Sequence, residues 1–258
     1  MKLLVCIKQV PDLESRFKPN SAGTWYSDSD LAWRMNEYDE YAVEQAVQLR
    51  ERLGDTAELT VLSIGPDRVV EAIKKSLAMG CDNAVHIQDP ASHEKDPWQI
   101  AGIIAAYARD KGFDIIFTGM QSQDRGSAQV GVTVAELLGY ACATTLVGFA
   151  YDNGAITAKR ELEGGVKGIV KLKIPALVTC QLGLNIPRYP TLPNIMKAKK
   201  KEITAIAVAS LLTEAPLVNT TSFHPPAKKG SGIVLEGAVE DLVEKVIGIL
   251  KEKTALLR

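Results

Sequence analysis

The sequence is poor in the residues from which most catalytic centres are built. It has three histidines, His86, His93 and His224, and they do not cluster, so chemistry that needs an imidazole beside a carboxylate has little support. The four cysteines, Cys6, Cys81, Cys142 and Cys180, form no C-x-x-C pair, and each lies in or beside an apolar run. That argues against zinc or a disulfide framework and for buried, reduced thiols in a reducing compartment. No G-x-G-x-x-G follows the first apolar run, and neither G-x-x-x-x-G-K-[ST] nor G-x-S-x-G occurs. A standard dinucleotide Rossmann site, a P-loop ATPase and a nucleophile-elbow hydrolase are therefore disfavoured. No stretch approaches the roughly 18 apolar residues that span a bilayer. The opening apolar run, about five residues, is too short for a signal peptide, so a cytoplasmic protein is expected. With a formal net charge of -1 over 258 residues, no global field draws the chain to nucleic acid or an anionic membrane.

What the chain does have is a regular alternation. Leu3–Ile7, Leu59–Ile64, Ala84–Ile87 and Asp114–Thr118 read as buried strands. Between and after them, Tyr38–Leu53, Arg68–Met79, Trp98–Ala108 and Ala128–Leu138 read as helices, with Gly54, Gly80 and Gly139 as stop signals. This order predicts an α/β fold: a mainly parallel, Rossmann-like sheet with helices on both faces and right-handed connections. From Thr145 the period changes. Thr145–Tyr151, Ile156–Glu161, Gly168–Lys173 and Ala176–Gln181 read as strands with no helices between them, and Asp152-Asn153-Gly154 is a hairpin turn signal. These predict an antiparallel extension of one side of the sheet. After Gly183 the chain is rich in proline and lysine; Ser222–Gly232 reads as an exposed linker and Leu235–Leu250 as a terminal amphipathic helix. The expected organisation is a nucleotide-binding core over 1–183, a partner-recognition loop over 184–202 and an arm over 203–258. An arm with so little sequence for its own core, and with Leu211, Leu212, Leu217 and Val218 in it, is expected to lie on another subunit.

Ligands of open parallel sheets bind beyond the carboxyl ends of the strands. That rule selects the loops after Ile7, after Ile64 and after Thr118. The last runs Gly119-Met120-Gln121-Ser122-Gln123-Asp124-Arg125-Gly126-Ser127-Ala128-Gln129-Val130-Gly131. Its small residues Gly126, Ser127 and Ala128 would let a phosphate approach backbone N–H groups at a helix start, with Arg125 neutralising charge and Gln121 or Asp124 bonding a ribose or base. By itself the run suits better an ordinary strand–helix loop with Ser127 as N-cap. A second signal is the stretch from Arg188 to Lys201, with five basic and no acidic residues and with Leu192, Ile195 and Met196 ahead of the lysines. An exposed apolar tip beside cations fits docking onto an acidic partner. A solvated basic turn is the plain alternative, and one stripe on a chain of this charge gives nucleic-acid binding poor support.

Both signals meet in one resemblance. Leu3-Leu4-Val5-Cys6-Ile7-Lys8-Gln9-Val10-Pro11-Asp12, Met35-Asn36-Glu37-Tyr38-Asp39-Glu40-Tyr41-Ala42, Ser76-Leu77-Ala78-Met79-Gly80-Cys81-Asp82, Arg160-Glu161-Leu162-Glu163-Gly164-Gly165 and above all the stretch Leu184–Lys200 carry it. Along nearly its whole length the chain resembles the β (small) subunit of electron-transfer flavoproteins. The resemblance implies a heterodimer with a larger α subunit that makes most contacts to a redox-active FAD. It implies that this subunit holds AMP, or a second FAD in relatives that bifurcate electrons. Position by position, the nucleotide site would use Cys6, Asn36, Glu37, Tyr38, Asp39, Ile64, Gly119, Met120, Gln121, Ser122, Gln123, Asp124, Arg125, Gly126, Ser127, Ala128, Gln129 and Val130. Docking would use Leu192 as anchor, with Pro193, Ile195, Met196, Lys197 and Lys200; the two lysines match positions methylated in some relatives. Glu37 stands where the family commonly has proline. The Asp124–Gly131 loop is shorter than the mitochondrial form and resembles that of bacterial and bifurcating relatives, whereas the L-P-N-I-M-K-A-K-K-K stretch resembles the non-bifurcating group, so the reading leans to AMP.

The function so implied is a non-enzymatic carrier. It takes electrons from flavin dehydrogenases, such as acyl-CoA dehydrogenases, and passes them to a quinone-linked oxidoreductase. The alternatives are a bifurcating flavoprotein and, from another class, a stand-alone adenine-nucleotide-binding or sensing module. A nucleotidyl transferase or hydrolase would need a lysine, a histidine or metal-binding carboxylates near the phosphate loop, where the sequence offers only Arg125 and Asp124.

Overall fold

The computed structural model of the protein describes residues 1–224, 230 and 232–254. It divides into two compact units, Met1–Phe223 and His224–Arg258.

Leu3–Ile7 is apolar without alternation because its strand, β1 (Lys2–Ile7), is covered on both faces. Leu3, Val5 and Ile7 enter one hydrophobic cluster, and Leu4 and Cys6 enter the other. A short ribbon follows, β2 (Gln9–Pro11) paired antiparallel with β3 (Trp33–Met35), and residues 12–32 loop out between them. Then come α1 (Glu37–Leu53), β4 (Glu58–Gly65), α2 (Val70–Met79), β5 (Asn83–Gln88), α3 (Pro97–Ala108), β6 (Ile115–Gly119) and α4 (Val130–Leu138). Next are β7 (Ala141–Asp152), β8 (Ala155–Glu161), β9 (Lys167–Lys173), β10 (Ala176–Cys180), α5 (Leu192–Ala198) and β11 (Thr204–Ala207). The main sheet has 9 strands in the order β11-β5-β4-β1-β6-β10-β7-β8-β9. All pairings from β11 to β7 are parallel; β7–β8 and β8–β9 are antiparallel. Ala42, Val43, Ala46 and Val47 of α1, with Ile73 and Leu77 of α2, cover one face, while Ile103 and Ile104 of α3, with Val134 of α4, cover the other. The α/β sandwich expected from the alternation is the fold observed.

Several boundaries and placements differ from expectation. Ala176–Cys180 is not the last strand of a run of hairpins: β10 lies inside the sheet, parallel to β6 and β7, and is buried along its whole length. Strand β7 begins at Ala141, ahead of Thr145. Thr145 has φ +56 where the pairing with β10 slips register, so a bulge inside the strand reads in sequence as its start. Helix α4 begins at Val130, because Ala128 has φ +53 and holds the chain out of the helix; Gln129, not Ser127, is the N-cap. The stretch expected as a recognition loop contains α5, and the arm contributes β11 to the sheet edge beside β5. Leu211 and Leu212 pack on the chain's own core, and only Leu217 and Val218 of the four arm residues are exposed. Cys6, Cys81 and Cys180 are buried, but Cys142 is exposed on β7.

In the second unit, the terminal helix α6 (Val239–Lys253) starts later than expected, because Gly237 has φ +144, a conformation no helix uses. Val239, Val243, Val246, Ile247 and Leu250 form a stripe of exposed apolar side chains along it. Of the expected linker Ser222–Gly232, residues 225–229 and 231 lie outside the described residues.

Candidate functional site

Strand β1 sits between β4, reached through α1, and β6, reached by the crossover through α3, so strand order reverses there. A cleft opens at the carboxyl ends of these strands, as sheet topology dictates. Its empty volume is about 1180 Å³, counted out into the open solvent at its mouth. All three loops selected from the sequence line it: Ile7, Lys8 and Gln9 after β1; Pro66, Arg68 and Val69 after β4; and Gly119–Ser122, Asp124, Arg125 and Ser127–Gly131 after β6.

The loops are tied together beneath the cleft by the start of α1. Asn36, the N-cap, spends its side chain on the third loop instead of on its own helix. Its Nδ2 donates to the Gln121 carbonyl (2.8 Å), and its Oδ1 accepts from the Gln123 N–H (3.0 Å). Asp39, 5% exposed, accepts the Lys8 N–H on Oδ2 (2.7 Å) and the Gly119 N–H on Oδ1 (3.1 Å), joining the ends of β1 and β6. Burial pushes its carboxyl up to about 7, against the pull of these bonds and of Lys8. Gly119 is required by this close approach: a β-carbon there would overlap Asp39 Oδ1 and come within 2.8 Å of Tyr38 Cβ.

The cleft is lined by cations, most of them in ion pairs: Lys8 with Asp124, Arg68 with Asp28 and Lys95 with Asp89. Lys8 Nζ contacts both carboxylate oxygens of Asp124 at 2.7 Å and Ser122 Oγ at 3.4 Å. A lysine therefore stands at the loop after β6, where the sequence offered only Arg125 and Asp124. Arg125 lies over the Trp25 ring (4.4 Å to its centroid) and donates to the His93 carbonyl. The N-terminus of α4 opens into the same space. Gln129 makes no side-chain cap, so the first-turn N–H groups, which have no partner within a helix, are left for another acceptor. Two further polar atoms lack partners: Gln9 Oε1 and Arg68 Nε, both buried and both on lining residues. Leu62, Ile64, Ile100 and Ile104, which pack in one hydrophobic cluster, give the lining an apolar part. A free helix end, cations, unpartnered polar atoms and an apolar wall together fit an anionic ligand with a flat, partly apolar body.

Of the residues expected to hold a nucleotide, Cys6, Asn36, Asp39, Ile64, Gly119, Met120, Gln121, Ser122, Asp124, Arg125, Ser127, Ala128, Gln129 and Val130 line the cleft. Glu37, Tyr38, Gln123 and Gly126 do not. Glu37 accepts from Gln123 Nε2 (3.0 Å) and Tyr38 Oη from Gln121 Nε2 (3.2 Å), so the first three brace the loop from behind. The Cys6 thiol is pushed far up by burial, with Asp39 adding to it, so it lines the cleft as an uncharged group. Sequence reasoning missed Lys8, Gln9, Trp25, Tyr26, Trp33, Arg68 and Lys95, all in the lining. The first two directly follow β1, and the four aromatic residues Phe17, Trp25, Tyr26 and Trp33 within residues 12–33 were a readable signal.

On the helical layer of α1 and α2, α5 presents Leu192 (78% exposed) and Met196 (57% exposed), with Pro193, Lys197 and Lys200 also exposed, whereas Ile195 packs against the core instead of joining the tip. Arg188 is not a free cation: it forks onto Glu44 (2.8 and 3.0 Å) and Glu51 (2.6 and 2.9 Å) of α1. Lys201 donates to the carbonyls of Cys81 (2.7 Å) and Asp82 (3.1 Å). Among the described residues no helix is long and apolar enough to cross a membrane.

Comparison with known proteins finds relatives along the whole chain. Residues 24–211 match the family described as the electron transfer flavoprotein domain. The chain is 36% identical over 263 residues to the electron transfer flavoprotein subunit beta of Bacillus subtilis (strain 168), covering 100% of both chains. It is 33% identical over 261 residues to that of Methylophilus methylotrophus, covering 98% of both. It is 35% identical over 251 residues to that of Homo sapiens, covering 95% of this chain and 96% of the relative.

Proposed function

This chain belongs to the electron transfer flavoprotein family as a β subunit, and from that premise we propose that its cleft holds AMP while a larger α subunit completes a carrier built on FAD. The observation that carries the reading is the uncapped N-terminus of α4, opening into a cleft that Lys8, Arg68 and Arg125 also line. A nucleotide phosphate answers both the free N–H groups and the positive charge. The base and ribose would take the apolar wall of Leu62, Ile64, Ile100 and Ile104. FAD supplies the redox chemistry of such a carrier, and AMP supplies none. The work of this chain is then to hold, orient and shield: Asn36 and Asp39 fix the loops, and AMP, bound only by the folded state, stabilises it by mass action.

In this reading the heterodimer accepts electrons from flavin dehydrogenases, such as acyl-CoA dehydrogenases, and delivers them to a quinone-linked oxidoreductase. Electron transfer needs proximity, not acid–base groups, so the scarcity of histidine is no obstacle. Leu192 and Met196, exposed beside Lys197, Lys199 and Lys200, suit an acidic-rimmed partner, with the charges steering encounter and the apolar tip giving contact. A second FAD in the same cleft is the alternative reading. It is favoured by the space that continues from the phosphate loop to Trp25 and Trp33.

Rapid mixing of the heterodimer with a reduced acyl-CoA dehydrogenase tests the carrier assignment. Leu192→Ala should slow FAD reduction at least tenfold and leave FAD and AMP content unchanged. Equal rates in wild type and variant would remove α5 as the docking element.

A further inference from the structure

The loop between β2 and β3 covers the cleft with aromatic side chains. It is ordered by its own contacts: Asn20 N–H donates to the Trp25 carbonyl (2.7 Å), Ser27 N–H to the Lys18 carbonyl (2.8 Å), and Pro19 bridges Tyr26. Phe17 packs edge-on to Tyr26 (5.4 Å between centroids), Trp25 lies 4.6 Å from Tyr26, and Phe223 N–H donates to the Gly23 carbonyl (2.6 Å). Trp25, Tyr26 and Trp33 all face the cleft. Each of two βα loops sends one arginine to one of these indoles. Arg68, after β4, lies over Trp33 at 3.6 Å and pairs with Asp28 (3.0 Å); Arg125, after β6, lies over Trp25 at 4.4 Å. Arg125 also donates to the carbonyl of His93, in the segment between β5 and α3. One guanidinium thus joins three walls of the cleft: the covering loop, the 89–96 segment and the phosphate loop.

We propose that Arg125 is a latch that closes the covering loop over the bound nucleotide through Trp25 and His93, a positioning residue and not chiefly a counter-charge for phosphate. This rests on the nucleotide reading of the cleft. The planar guanidinium suits the role, since it stacks on an indole with its face while its edge keeps N–H groups for a carbonyl. Arg68 on Trp33 anchors the other side of the loop, close to the β2–β3 ribbon. With both latches made, a ligand leaves only when the loop swings away, and its exit rate follows latch opening.

Release of labelled AMP and labelled adenosine from the purified heterodimer, chased with excess unlabelled ligand, separates the two roles of Arg125. A latch predicts that Arg125→Ala and Trp25→Ala each speed release of both ligands, on the order of tenfold. The double variant should be no faster than Arg125→Ala, which already breaks the contact to Trp25 along with that to His93. Trp25→Phe should keep most of the wild-type rate. A counter-charge predicts faster release of AMP alone, no effect of Trp25→Ala and near-normal AMP release in Arg125→Lys; that pattern overturns the proposal. Arg125→Lys decides the matter if the alanine variant does not fold, because a latch that needs the fork predicts faster release for it too. If the wild-type heterodimer retains neither ligand, the nucleotide reading itself fails. Amide exchange over residues 20–27 then judges the latch without a ligand: faster exchange in Arg125→Ala upholds it, and unchanged exchange overturns it.

Discussion

Asn in place of Asp39 tests whether burial governs the carboxyl that joins the ends of β1 and β6. The ordinary value of this group is 3.8, and in the folded chain burial raises it to about 7, while the N–H bonds from Lys8 and Gly119, the Asn36 side chain and the Lys8 charge only partly offset the rise. A folded-state pKa above the unfolded one means that the native protein binds the proton more tightly. The stability this group contributes is therefore fully present below the unfolded pKa and is lost as pH rises through about 7. Between pH 5 and pH 8 the loss is roughly 2–3 kcal/mol for such a pair of values. Asn keeps the shape but does not titrate, and turns an NH2 toward one of the two backbone donors, which costs about 1–3 kcal/mol at any pH. Urea denaturation of wild type and Asp39→Asn at both pH values should show the wild-type advantage shrinking by roughly 2–3 kcal/mol from pH 5 to pH 8. An advantage that stays constant or grows would refute the reasoning. It would mean that the two N–H bonds and Lys8 hold the carboxylate ionised despite its burial.

Gly119→Ala should displace Asp39 and loosen the phosphate loop, destabilising the fold by about 1–3 kcal/mol and weakening AMP binding at least tenfold; wild-type AMP content in a purified variant would contradict the tight approach of α1 to β6. Arg188→Ala leaves Glu44, whose side chain is 4% exposed, without its charged partner and with only the Gln48 amide and a backbone N–H on it. It should cost about 2–4 kcal/mol in denaturant unfolding and raise amide exchange over residues 185–198 more than elsewhere; an unchanged midpoint would show that the fork onto Glu44 and Glu51 does not hold the segment ahead of α5. Cys142, the exposed thiol, should react with a thiol reagent in the native protein, and Cys6, Cys81 and Cys180 only after unfolding; more than one fast thiol would count against the buried positions of the other three.

The sheet was legible because its central strands are buried on both faces and separated by helices of clear period. The place of β10 was misread because nothing helical separates Ala176–Cys180 from β9, so the chain looked like one more hairpin. The sign was in the residues nonetheless: A-L-V-T-C has no alternation, unlike the exposed K-G-I-V-K-L-K of β9, and an unbroken apolar run marks a strand covered on both faces. The bulge at Thr145 and the left-handed turn at Ala128 left no such mark, since neither residue type favours φ above zero. The Thr145 N–H donates to Thr179 Oγ1 (3.1 Å), 34 positions away, a contact that no local pattern encodes. For the site, the carboxyl-end rule located all three loops, but it said nothing of which side chains meet across them. Lys8 meeting Asp124, Arg125 meeting Trp25 and Arg188 meeting Glu44 are contacts between segments far apart in sequence, and only the fold brings them together.

The central claim is that this β subunit carries an adenine nucleotide beside a partner that carries FAD, and a cofactor count tests it most directly. The chain should be co-expressed with its α subunit, the complex purified, and the nucleotides released by denaturation quantified by chromatography. One FAD and one AMP per heterodimer is the predicted result. Two FAD without AMP would replace AMP by a second flavin in the cleft and favour bifurcation. A stable heterodimer with FAD but no nucleotide in this subunit would contradict the account, leaving the free end of α4 and the cationic cleft without the ligand argued for them.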